Sequence, residues 1–318
     1  MHEELQQLLG DRFKENEPMS KHTNFRIGGP AKYFVEVKSV EELQKVLSIA
    51  DSNSFRTCIL GGGSNMLVSD QGFDGVMIKI AMREMSIDKN RVHADSGVPM
   101  ILLARKVGEA GLAGLEWAIT LPGTVGGAVR GNAGCYGGET KDYLVEAVVL
   151  SEGKVVTRSN EELRFGYRES LIKHSPDIIL SAIFELPSGD REMIKQTMES
   201  NLLKRKVAQP TDAGSAGCMF KNFDISSDEE LDQIKTKLEL TPVMIASRRI
   251  SVGWLIDQLD LKGFEMGGAK VSEKHGNFLV NSGNATADEI VQLIAVIKTR
   301  ARDTYGIILQ EEVQYVGF

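Results

Sequence analysis

One cysteine, Cys218, stands in the segment SAGCMF, between a glycine and large apolar residues. The stretch QPTDAG just before it is rich in residues that interrupt helices and strands. In this setting the thiol could be a small packed hydrophobe, a metal ligand or a group that transfers a proton. Cys58, Cys135 and Cys218 show no CxxC spacing, and the histidines form no HExxH pair. We therefore expect neither a metal site nor a disulfide framework.

Glycine-rich loops indicate a second kind of chemistry, which is anion binding by backbone N–H groups. Residues 61–65 read GGGSN and present consecutive N–H groups that can wrap a phosphate or pyrophosphate. The loop is not a P-loop, because Ser64, Asn65 and Met66 follow Gly63 where a P-loop needs Gly-Lys-Ser/Thr. It also lacks the Rossmann pattern, since Met66 takes the place of the third glycine. Taken alone, such a loop is more typical of an ordinary turn.

Two further glycine stretches change this interpretation. The sequence reads PGTVGGA at 122–128 and GNAGCYGG at 131–138, with no sustained helical or strand period between residues 111 and 138. Glycine carries a large entropy cost on folding, so three such clusters are hard to explain without a ligand. Together they favour a large, flat cofactor that carries a pyrophosphate.

Composition restricts the class of protein. The 318 residues can bury a sizeable core and suggest two or three domains. A net charge of −7 argues against a nucleic-acid-binding protein. The polar, acidic start and the lack of any run of about 18 apolar residues predict neither export nor membrane insertion. We therefore expect a cytoplasmic protein.

Short strands and capped helices must position these groups. RTCIL leads directly into the GGGSN loop and GVMIKI follows it, which predicts strand, loop, strand. A hairpin is expected around residues 151–153, and Thr286 with Glu289 forms the capping box of a final helix. SVGWLIDQLDLKGF predicts a helix that ends at Gly263, and GIILQEEVQYVGF predicts a closing strand pair.

Seven motifs carry a family resemblance. They appear in the order found in UDP-N-acetylenolpyruvoylglucosamine reductases and span nearly the whole chain: HTNFRIGGPAKYF (22–34), LGGGSNMLVSD (60–70), GLEWAITLPGTVGGAVRGNAGCYGGE (114–139), FGYRES (165–170), SAGCMFKN (215–222), GGAKVSEKHGNFLVN (267–281) and LQEEVQYVG (309–317). The chain resembles this family, and more closely its second subtype, because it has no counterpart of the tyrosine-bearing loop of the first.

The resemblance implies an α+β fold in which a two-part FAD-binding module of the vanillyl-alcohol-oxidase type precedes a substrate-binding domain. The expected domains are 1–84, to which a strand at 313–318 returns, then 85–210, and finally 211–312. Residues 223–250 look like an insertion relative to the family pattern, with a solvated helical segment as the default expectation.

The resemblance also implies the reaction. Members reduce the enolpyruvyl ether of UDP-N-acetylglucosamine to UDP-N-acetylmuramate for peptidoglycan synthesis, with non-covalent FAD as cofactor and NADPH as co-substrate. Hydride passes from NADPH to the flavin N5 and on to the enolpyruvyl carbon remote from the carboxylate. The residues expected to hold FAD by this resemblance are Gly61, Gly62, Gly63, Ser64, Asn65, Pro122, Gly123, Thr124, Gly126, Gly127, Ala128, Asn132, Ala133 and Gly134.

Three residues match catalytic positions of the family. Arg168 corresponds to an arginine that binds the substrate carboxylate, and Glu312 to a glutamate in the closing segment. Glu312 must carry a proton or be tied to Arg168, and the sequence leaves both options open. Cys218 stands where the family most often has serine, and is expected to protonate the carbon beside the one that receives hydride. A thiol is a stronger acid than an alcohol, so the exchange is chemically reasonable.

Expected substrate contacts complete the set. By the same resemblance they are Tyr136, Asn222, Lys274, His275 and Asn281. We expect a monomer or weak dimer. Two alternatives are a flavin-dependent oxidase on the same module and a non-catalytic nucleotide-sugar binder. The oxidase is less favoured because many oxidases tether flavin through histidine, which the glycine loops lack. The binder is less favoured because the acid and base residues are retained.

Overall fold

The computed structural model describes all residues, 1–318, and the chain forms two compact units. Unit 1 comprises Met1–Glu17, Ala31–Gly63 and Phe73–Arg205, and unit 2 comprises Pro18–Pro30, Ser64–Gly72 and Lys206–Phe318.

The helices are α1 (His2–Leu9), α2 (Val40–Ser52), α3 (Met100–Glu109), α4 (Val125–Arg130), α5 (Arg191–Ala208), α6 (Asp228–Lys235), α7 (Pro242–Ser247), α8 (Val252–Gln258) and α9 (Ala287–Tyr305). The strands are β1 (Phe13–Pro18), β2 (Pro30–Val37), β3 (Thr57–Leu60), β4 (Met66–Val68), β5 (Phe73–Ile80), β6 (Met85–Asp88), β7 (Arg91–Asp95), β8 (Gly134–Cys135), β9 (Gly138–Glu139), β10 (Leu144–Ser151), β11 (Lys154–Ser159), β12 (Ile178–Glu185), β13 (Phe223–Asp224), β14 (Arg249–Ile250), β15 (Glu265–Met266), β16 (Ala269–Val271), β17 (Leu279–Asn281) and β18 (Gln314–Val316). The predicted α+β fold class is confirmed.

Unit 1 contains a four-stranded sheet in the order β1-β2-β5-β3, in which β2 and β3 both run parallel to β5. Helix α2 connects β2 to β3, and its Leu43 and Val46 share one core with Val35 of β2 and Ile78 of β5. Because the parallel strands end at a common edge, the loop that follows β3 begins there with Gly61. The predicted order of strand, glycine loop and strand is confirmed.

Unit 1 also contains a five-stranded antiparallel sheet in the order β11-β10-β12-β7-β6. The hairpin between β10 and β11 turns at Glu152 and Gly153, whose φ angles of 49° and 76° are those of a tight two-residue turn. Helices α3 and α4 supply buried residues to the same core as this sheet, among them Leu103 and Val129. The hairpin predicted around residues 151–153 is confirmed.

Unit 2 builds its core around helix α9, a 19-residue helix whose N-terminus is capped twice. Thr286 Oγ1 accepts the N–H of Glu289 at 3.1 Å, and the Glu289 carboxylate accepts the N–H of Thr286 at 3.0 Å, which confirms the predicted capping box. The carboxylate of Asp70 accepts the next two N–H groups, those of Ala287 at 2.9 Å and Asp288 at 3.0 Å. These bonds satisfy the first donors of the helix and fix its start to the loop after β4.

Residues 223–250 form a closed segment of unit 2. Strand β13 pairs antiparallel with β14, with Phe223 opposite Ile250, so the two ends of the segment meet. Helices α6 and α7 lie between them, and Leu231 and Ile234 of α6 belong to the main core of unit 2. The segment is therefore helical as expected, and one face of it is packed rather than solvated.

Strand β18 pairs in parallel with β4, with Val316 opposite Val68. β4 lies in the first of the three predicted domains, but residues 64–72 cluster with unit 2. The division into three domains stays a prediction. None of the helices is long and apolar enough to cross a membrane.

The structure differs from the sequence predictions at three places. Helix α8 ends at Gln258, before the predicted Gly263, because Asp260 takes a left-handed conformation with φ 54°. The predicted closing strand pair is wrong: only β18 forms, while Glu311 makes an isolated bridge to Phe220. Helix α4 lies inside the glycine-rich segment that showed no period, because glycines occupy positions that would otherwise reveal its apolar face.

We predict that Thr286→Ala lowers the free energy of unfolding by about 1 kcal/mol, because the substitution removes the side-chain cap of α9. Urea unfolding followed by far-UV circular dichroism measures this loss. Thr236→Ala is the matched control, since Thr236 is also exposed but bonds the Gln233 carbonyl at the end of α6. Equal losses for the two variants would contradict the importance of the cap.

Candidate active site

Two glycine loops approach each other closely in unit 1. A Cβ added to Gly62 would lie 2.7 Å from the Cα of Gly123, and one added to Gly61 would lie 2.7 Å from Thr124 Oγ1. Because the atom nearest to Gly62 belongs to the backbone, this position requires glycine, whereas at Gly61 the Thr124 side chain would have to move. The second loop is held in place by bonds from the N–H groups of Val125 to Val98 O and of Gly126 to Ser96 O, each 2.9 Å.

Several N–H groups of these loops have no acceptor within the protein. Those of Gly61, Gly62 and Gly63 donate to no backbone carbonyl or side chain, and the same holds for Gly127. Consecutive backbone donors without side-chain cover form an anion-binding concavity. The cradle therefore fits the pyrophosphate of a dinucleotide such as FAD. Pro122, Ala128 and the other predicted FAD-binding residues of 122–128 lie in the same loop and the helix α4 that follows it.

Asn132, predicted to contact FAD, has a fully buried side chain with φ 41°. Its amide donates to Glu139 Oε2 at 2.9 Å and to Gly166 O at 2.8 Å, and it accepts the N–H of Lys141 at 3.1 Å. The side chain thus joins three parts of unit 1 to one another. The next residue, Ala133, accepts both the N–H and the hydroxyl of Thr140 at 2.9 Å.

Arg168 lies at the tip of a two-residue turn. The N–H of Gly166 donates to Glu169 O at 2.9 Å and the N–H of Glu169 donates to Gly166 O at 3.2 Å, so Tyr167 and Arg168 form the turn itself. Arg168 has φ 58°, a left-handed conformation that is costly for a residue with a side chain. Its Nη2 donates to Gly134 O at 2.8 Å, and Lys173 Nζ donates to Arg168 O at 2.7 Å. Backbone and guanidinium are therefore both held by the protein.

The turn is reinforced by charges around it. The carboxylate of Glu169 contacts Lys173 Nζ at 3.3 Å and His174 Nε2 at 2.6 Å. Ser170, which is buried, donates its hydroxyl to the carbonyl of Arg130 at 2.6 Å. Burial lowers the pKa of the Arg130 guanidinium, although Cys58 and Glu169 oppose that change. These contacts connect the Arg168 turn to the end of α4.

Tyr136 also lies at the tip of a tight turn, between β8 and β9. Its φ of 51° and the φ of 86° at Gly137 are those of a two-residue hairpin loop. The side chain is 40% exposed. Burial raises the pKa of the Tyr136 phenol, with a further rise from Cys135 and an opposing effect from Arg205. The phenol is therefore neutral and able to donate a hydrogen bond near pH 7.

Unit 2 places Cys218 and Glu312 on neighbouring extended segments. Cys218 pairs with Phe278 in an antiparallel bridge, and the N–H of Glu312 donates to Met219 O at 2.8 Å. Glu311, one residue earlier, forms an ion pair with Lys298 at 2.8 Å. The cysteine is half-buried, as would suit a thiol that has to reach a ligand.

Asn65 ties the end of the GGGSN loop to the same place. Its Nδ2 donates to the carbonyl of Glu312 at 3.3 Å, and its own carbonyl accepts the N–H of Gln314 at 3.1 Å. Ser64 and Asn65 therefore belong to unit 2, whereas Gly61 to Gly63 belong to unit 1. The Asn65 side chain positions the backbone on which Glu312 stands.

The predicted substrate residues of unit 2 occupy different settings. His275 Nδ1 accepts the N–H of Asn277 at 3.2 Å, which leaves the proton of the neutral ring on Nε2. Burial lowers the pKa of His275, with Asp257 opposing the change. Lys274 is exposed. Asn222 Oδ1 accepts the N–H of Val252 at 3.2 Å, at the start of α8.

Asn281 is buried, and much of its side chain is used inside unit 2. Its Nδ2 donates to Phe25 O at 3.1 Å, while Oδ1 accepts the N–H groups of Gly283 at 2.8 Å and Ala285 at 3.0 Å. These bonds support a structural role, and a substrate contact by Asn281 stays a prediction.

Sequence reasoning missed Asn277. The side chain is 2% exposed, and it bonds to both polar backbone groups of Phe220. A polar residue inside the apolar run NFLVN was the available signal, because a buried amide must find partners. No group of three or more His, Cys, Asp or Glu side chains in the chain could hold a metal ion.

Comparison with known proteins identifies the class first. Residues 31–159 match a model of FAD-binding domains, and residues 209–316 match the model of the C-terminal domain of UDP-N-acetylenolpyruvoylglucosamine reductase. A FAD-binding domain joined to this C-terminal domain defines a flavoprotein oxidoreductase.

Full-length relatives then show the family. The chain is 38% identical to UDP-N-acetylenolpyruvoylglucosamine reductase of Anoxybacillus flavithermus, covering 100% of this chain and 98% of the relative. It is 36% identical to the enzyme of the same name from Syntrophomonas wolfei, covering 98% and 97%. The crystal structure of the Thermus caldophilus reductase matches with a TM-score of 0.76 and 32% identity over 95% of this chain and 98% of that chain. The chain belongs to the UDP-N-acetylenolpyruvoylglucosamine reductase family.

We predict that Gly62→Ala weakens FAD binding about tenfold or more, because the added methyl meets the Gly123 backbone. Titration of deflavinated protein with FAD, followed by flavin fluorescence, measures this change. Gly131→Ala is the control, since its Cβ would lie 3.5 Å from Gly127 O, an ordinary contact. If both variants bind FAD as the wild type does, the two loops do not form the cradle.

Proposed function

We propose that the chain reduces the enolpyruvyl ether of UDP-N-acetylglucosamine to UDP-N-acetylmuramate, with FAD bound non-covalently and NADPH as the reductant. The observation that carries this proposal is the pairing in unit 2 that puts Cys218 and Glu312 on adjacent segments, within a chain that matches the family from end to end. The segments that carry an acid and a carboxylate are thus joined by a backbone hydrogen bond, from the N–H of Glu312 to Met219 O.

The glycine loops and the residues around them would hold the cofactor. The N–H groups at 61–63 and 127 have no acceptor within the protein and suit its pyrophosphate, and the close approach of Gly62 to Gly123 shapes the cradle. When bound, FAD supplies hydride transfer between NADPH and the enolpyruvyl group. No histidine lies in the loops, which supports non-covalent binding.

Arg168 would bind the carboxylate of the substrate. Hydride addition at the terminal carbon drives negative charge toward this carboxylate, so a fixed cation lowers the energy of the transition state. The planar guanidinium can donate two parallel bonds, and the Gly134 carbonyl already holds it at 2.8 Å. Its strained backbone conformation supports a functional role, because strain of this kind persists where the surrounding structure enforces it.

Cys218 would complete the reaction. After hydride addition the adjacent carbon needs a proton, and the thiol supplies it, forming a C–H bond and leaving a thiolate that solvent reprotonates. Glu312 would carry a proton or be paired with a cation, since an isolated carboxylate would oppose the developing negative charge.

Two alternatives are weaker. A flavin-dependent oxidase would not need an acid at Cys218, and a non-catalytic nucleotide-sugar binder would not need the strained Arg168. The cytoplasmic location and a monomeric or weakly dimeric state stay predictions.

We predict that Cys218→Ala slows reoxidation of the reduced flavin by the enolpyruvyl substrate by about 100-fold or more, because general acids contribute about 10²–10⁴-fold. Anaerobic stopped-flow absorbance measures this step separately from flavin reduction by NADPH, which we expect to be unchanged. Cys218→Ser should retain most of the rate, because the hydroxyl can also donate a proton. Cys58→Ala, a half-buried cysteine in β3, is the control. Flavin reoxidation by oxygen alone would support the oxidase instead.

We predict that Arg168→Lys raises the KM for the enolpyruvyl substrate about tenfold to 100-fold, because lysine keeps the charge but loses two-point binding. Steady-state kinetics measures this effect. Arg164→Lys is the matched control, since Arg164 is also left-handed, with φ 46°, but is exposed. If KM changed equally in both variants, the cause would be the left-handed backbone that they share. The proposed contact between Arg168 and the substrate carboxylate would then be wrong.

A further inference from the structure

Asn277 binds the backbone of Met219 and Phe220 through both polar atoms of its side chain and through its own carbonyl. The Asn277 Oδ1 accepts the N–H of Phe220 at 2.9 Å, and its Nδ2 donates to the carbonyl of Phe220 at 2.8 Å. The Asn277 backbone carbonyl accepts the N–H of Met219 at 2.7 Å. On the side away from Glu311, the amide side chain thus bonds the N–H and the carbonyl of Phe220 as a neighbouring strand would.

The same segment is bound from its other side by the end of the chain. Met219 O accepts the N–H of Glu312 at 2.8 Å, and the N–H of Lys221 donates to Gln310 O at 2.9 Å. Residues 218–221 therefore lie between 277–278 and 310–312, each joined to them by backbone hydrogen bonds. The bonds from 310–312 are all between backbone groups, whereas on the side of 277–278 the Asn277 side chain adds two bonds to the backbone bond of Met219.

The peptide groups of Phe220 lie away from solvent. Phe220 is 1% exposed and Asn277 is 2% exposed, so the peptide groups of Phe220 would be left buried and unpaired without the amide. Unpaired buried peptide groups are unfavourable enough that the local backbone has to move to satisfy them. Cys218 is two residues from Phe220 and would move with it.

We propose that Asn277 is a positioning residue for Cys218: its amide fixes the backbone at 219–220 and so sets where the thiol lies relative to Glu312. This inference rests on the proposed function, in which Cys218 is the proton donor. Proton transfer depends steeply on the distance between donor and acceptor, and a displacement of about 1 Å can cost about 100-fold in rate.

Asn277 should affect one half-reaction and not the other. Its polar side-chain atoms bond to Phe220 and leave no role for it in the cradle of unit 1. Asn277→Ala should therefore slow the reoxidation of reduced flavin by the enolpyruvyl substrate and leave flavin reduction by NADPH unchanged. A loss of general stability would affect the two steps alike.

The experiment compares Asn277→Ala, Cys218→Ala and Asn201→Ala in the FAD-loaded enzyme. Asn201 is the matched control, because it is also buried, at 5% exposure, and its Nδ2 donates to Glu116 O in unit 1. Anaerobic stopped-flow absorbance gives the two half-reactions. We expect the reoxidation step to be about 10- to 100-fold slower for Asn277→Ala and unchanged for Asn201→Ala.

A second measurement does not depend on turnover. The rate of Cys218 alkylation by iodoacetamide, read by peptide mass spectrometry without substrate, should rise at least about threefold in Asn277→Ala because the segment opens more readily. Asn201→Ala should leave this rate as in the wild type.

The outcomes separate the two proposals. Slow reoxidation in Cys218→Ala with a normal rate in Asn277→Ala overturns the positioning role and leaves the proposed function standing. Normal reoxidation in Cys218→Ala overturns the proton donor. In that case the alkylation rate alone decides whether Asn277 positions the thiol, and an unchanged rate overturns this inference as well.

Discussion

The hydrogen bond from the N–H of Glu312 to the carbonyl of Met219, 2.8 Å long, is the constraint on which the proposed chemistry of unit 2 depends. It joins two segments that are more than ninety residues apart in the chain, one with the candidate acid and the other with the candidate carboxylate. Asn65 holds the Glu312 side of this pair, and Asn277 holds the Met219 side. Both supports are asparagine amides, which can donate and accept at once and so can replace a missing peptide neighbour.

In unit 1 the corresponding constraint is steric rather than polar. Gly62 and Gly123 approach so closely that no side chain fits at Gly62. Glycine weakens regular structure, and a chain that keeps several glycines together loses entropy on folding. A bound anion would offset this loss of entropy, because it would bond to the backbone N–H groups that have no acceptor within the protein.

Strain and charge are concentrated at Arg168 in the same unit. Its left-handed backbone is enforced by reciprocal hydrogen bonds between Gly166 and Glu169, and Lys173 holds its carbonyl. The bond to Gly134 O also orients the guanidinium, which would reduce the entropy lost on binding the carboxylate that we propose as its partner. A flexible surface arginine would lack this advantage.

Local features of the fold could be predicted from the sequence. The strand before GGGSN, the hairpin at residues 151–153 and the capping box at Thr286 each depend on neighbours within a few positions, and all are confirmed. The end of α8 and the supposed closing strand pair were wrong, because a left-handed Asp260 and a partner at Phe220 decide them. Helix α4 was missed because its glycines hide the apolar face.

The sequence by itself determined which residues could do chemistry, and the order of its motifs determined the family. Only the tertiary structure decided that the Asn132 and Asn281 amides are largely used within the protein, that Asn65 supports Glu312, and that Asn277 supports the Cys218 segment. The physical reason is that hydrogen-bond partners of buried polar groups are distant in sequence. Residue type shows that an amide needs partners, but only the folded chain determines which groups they are.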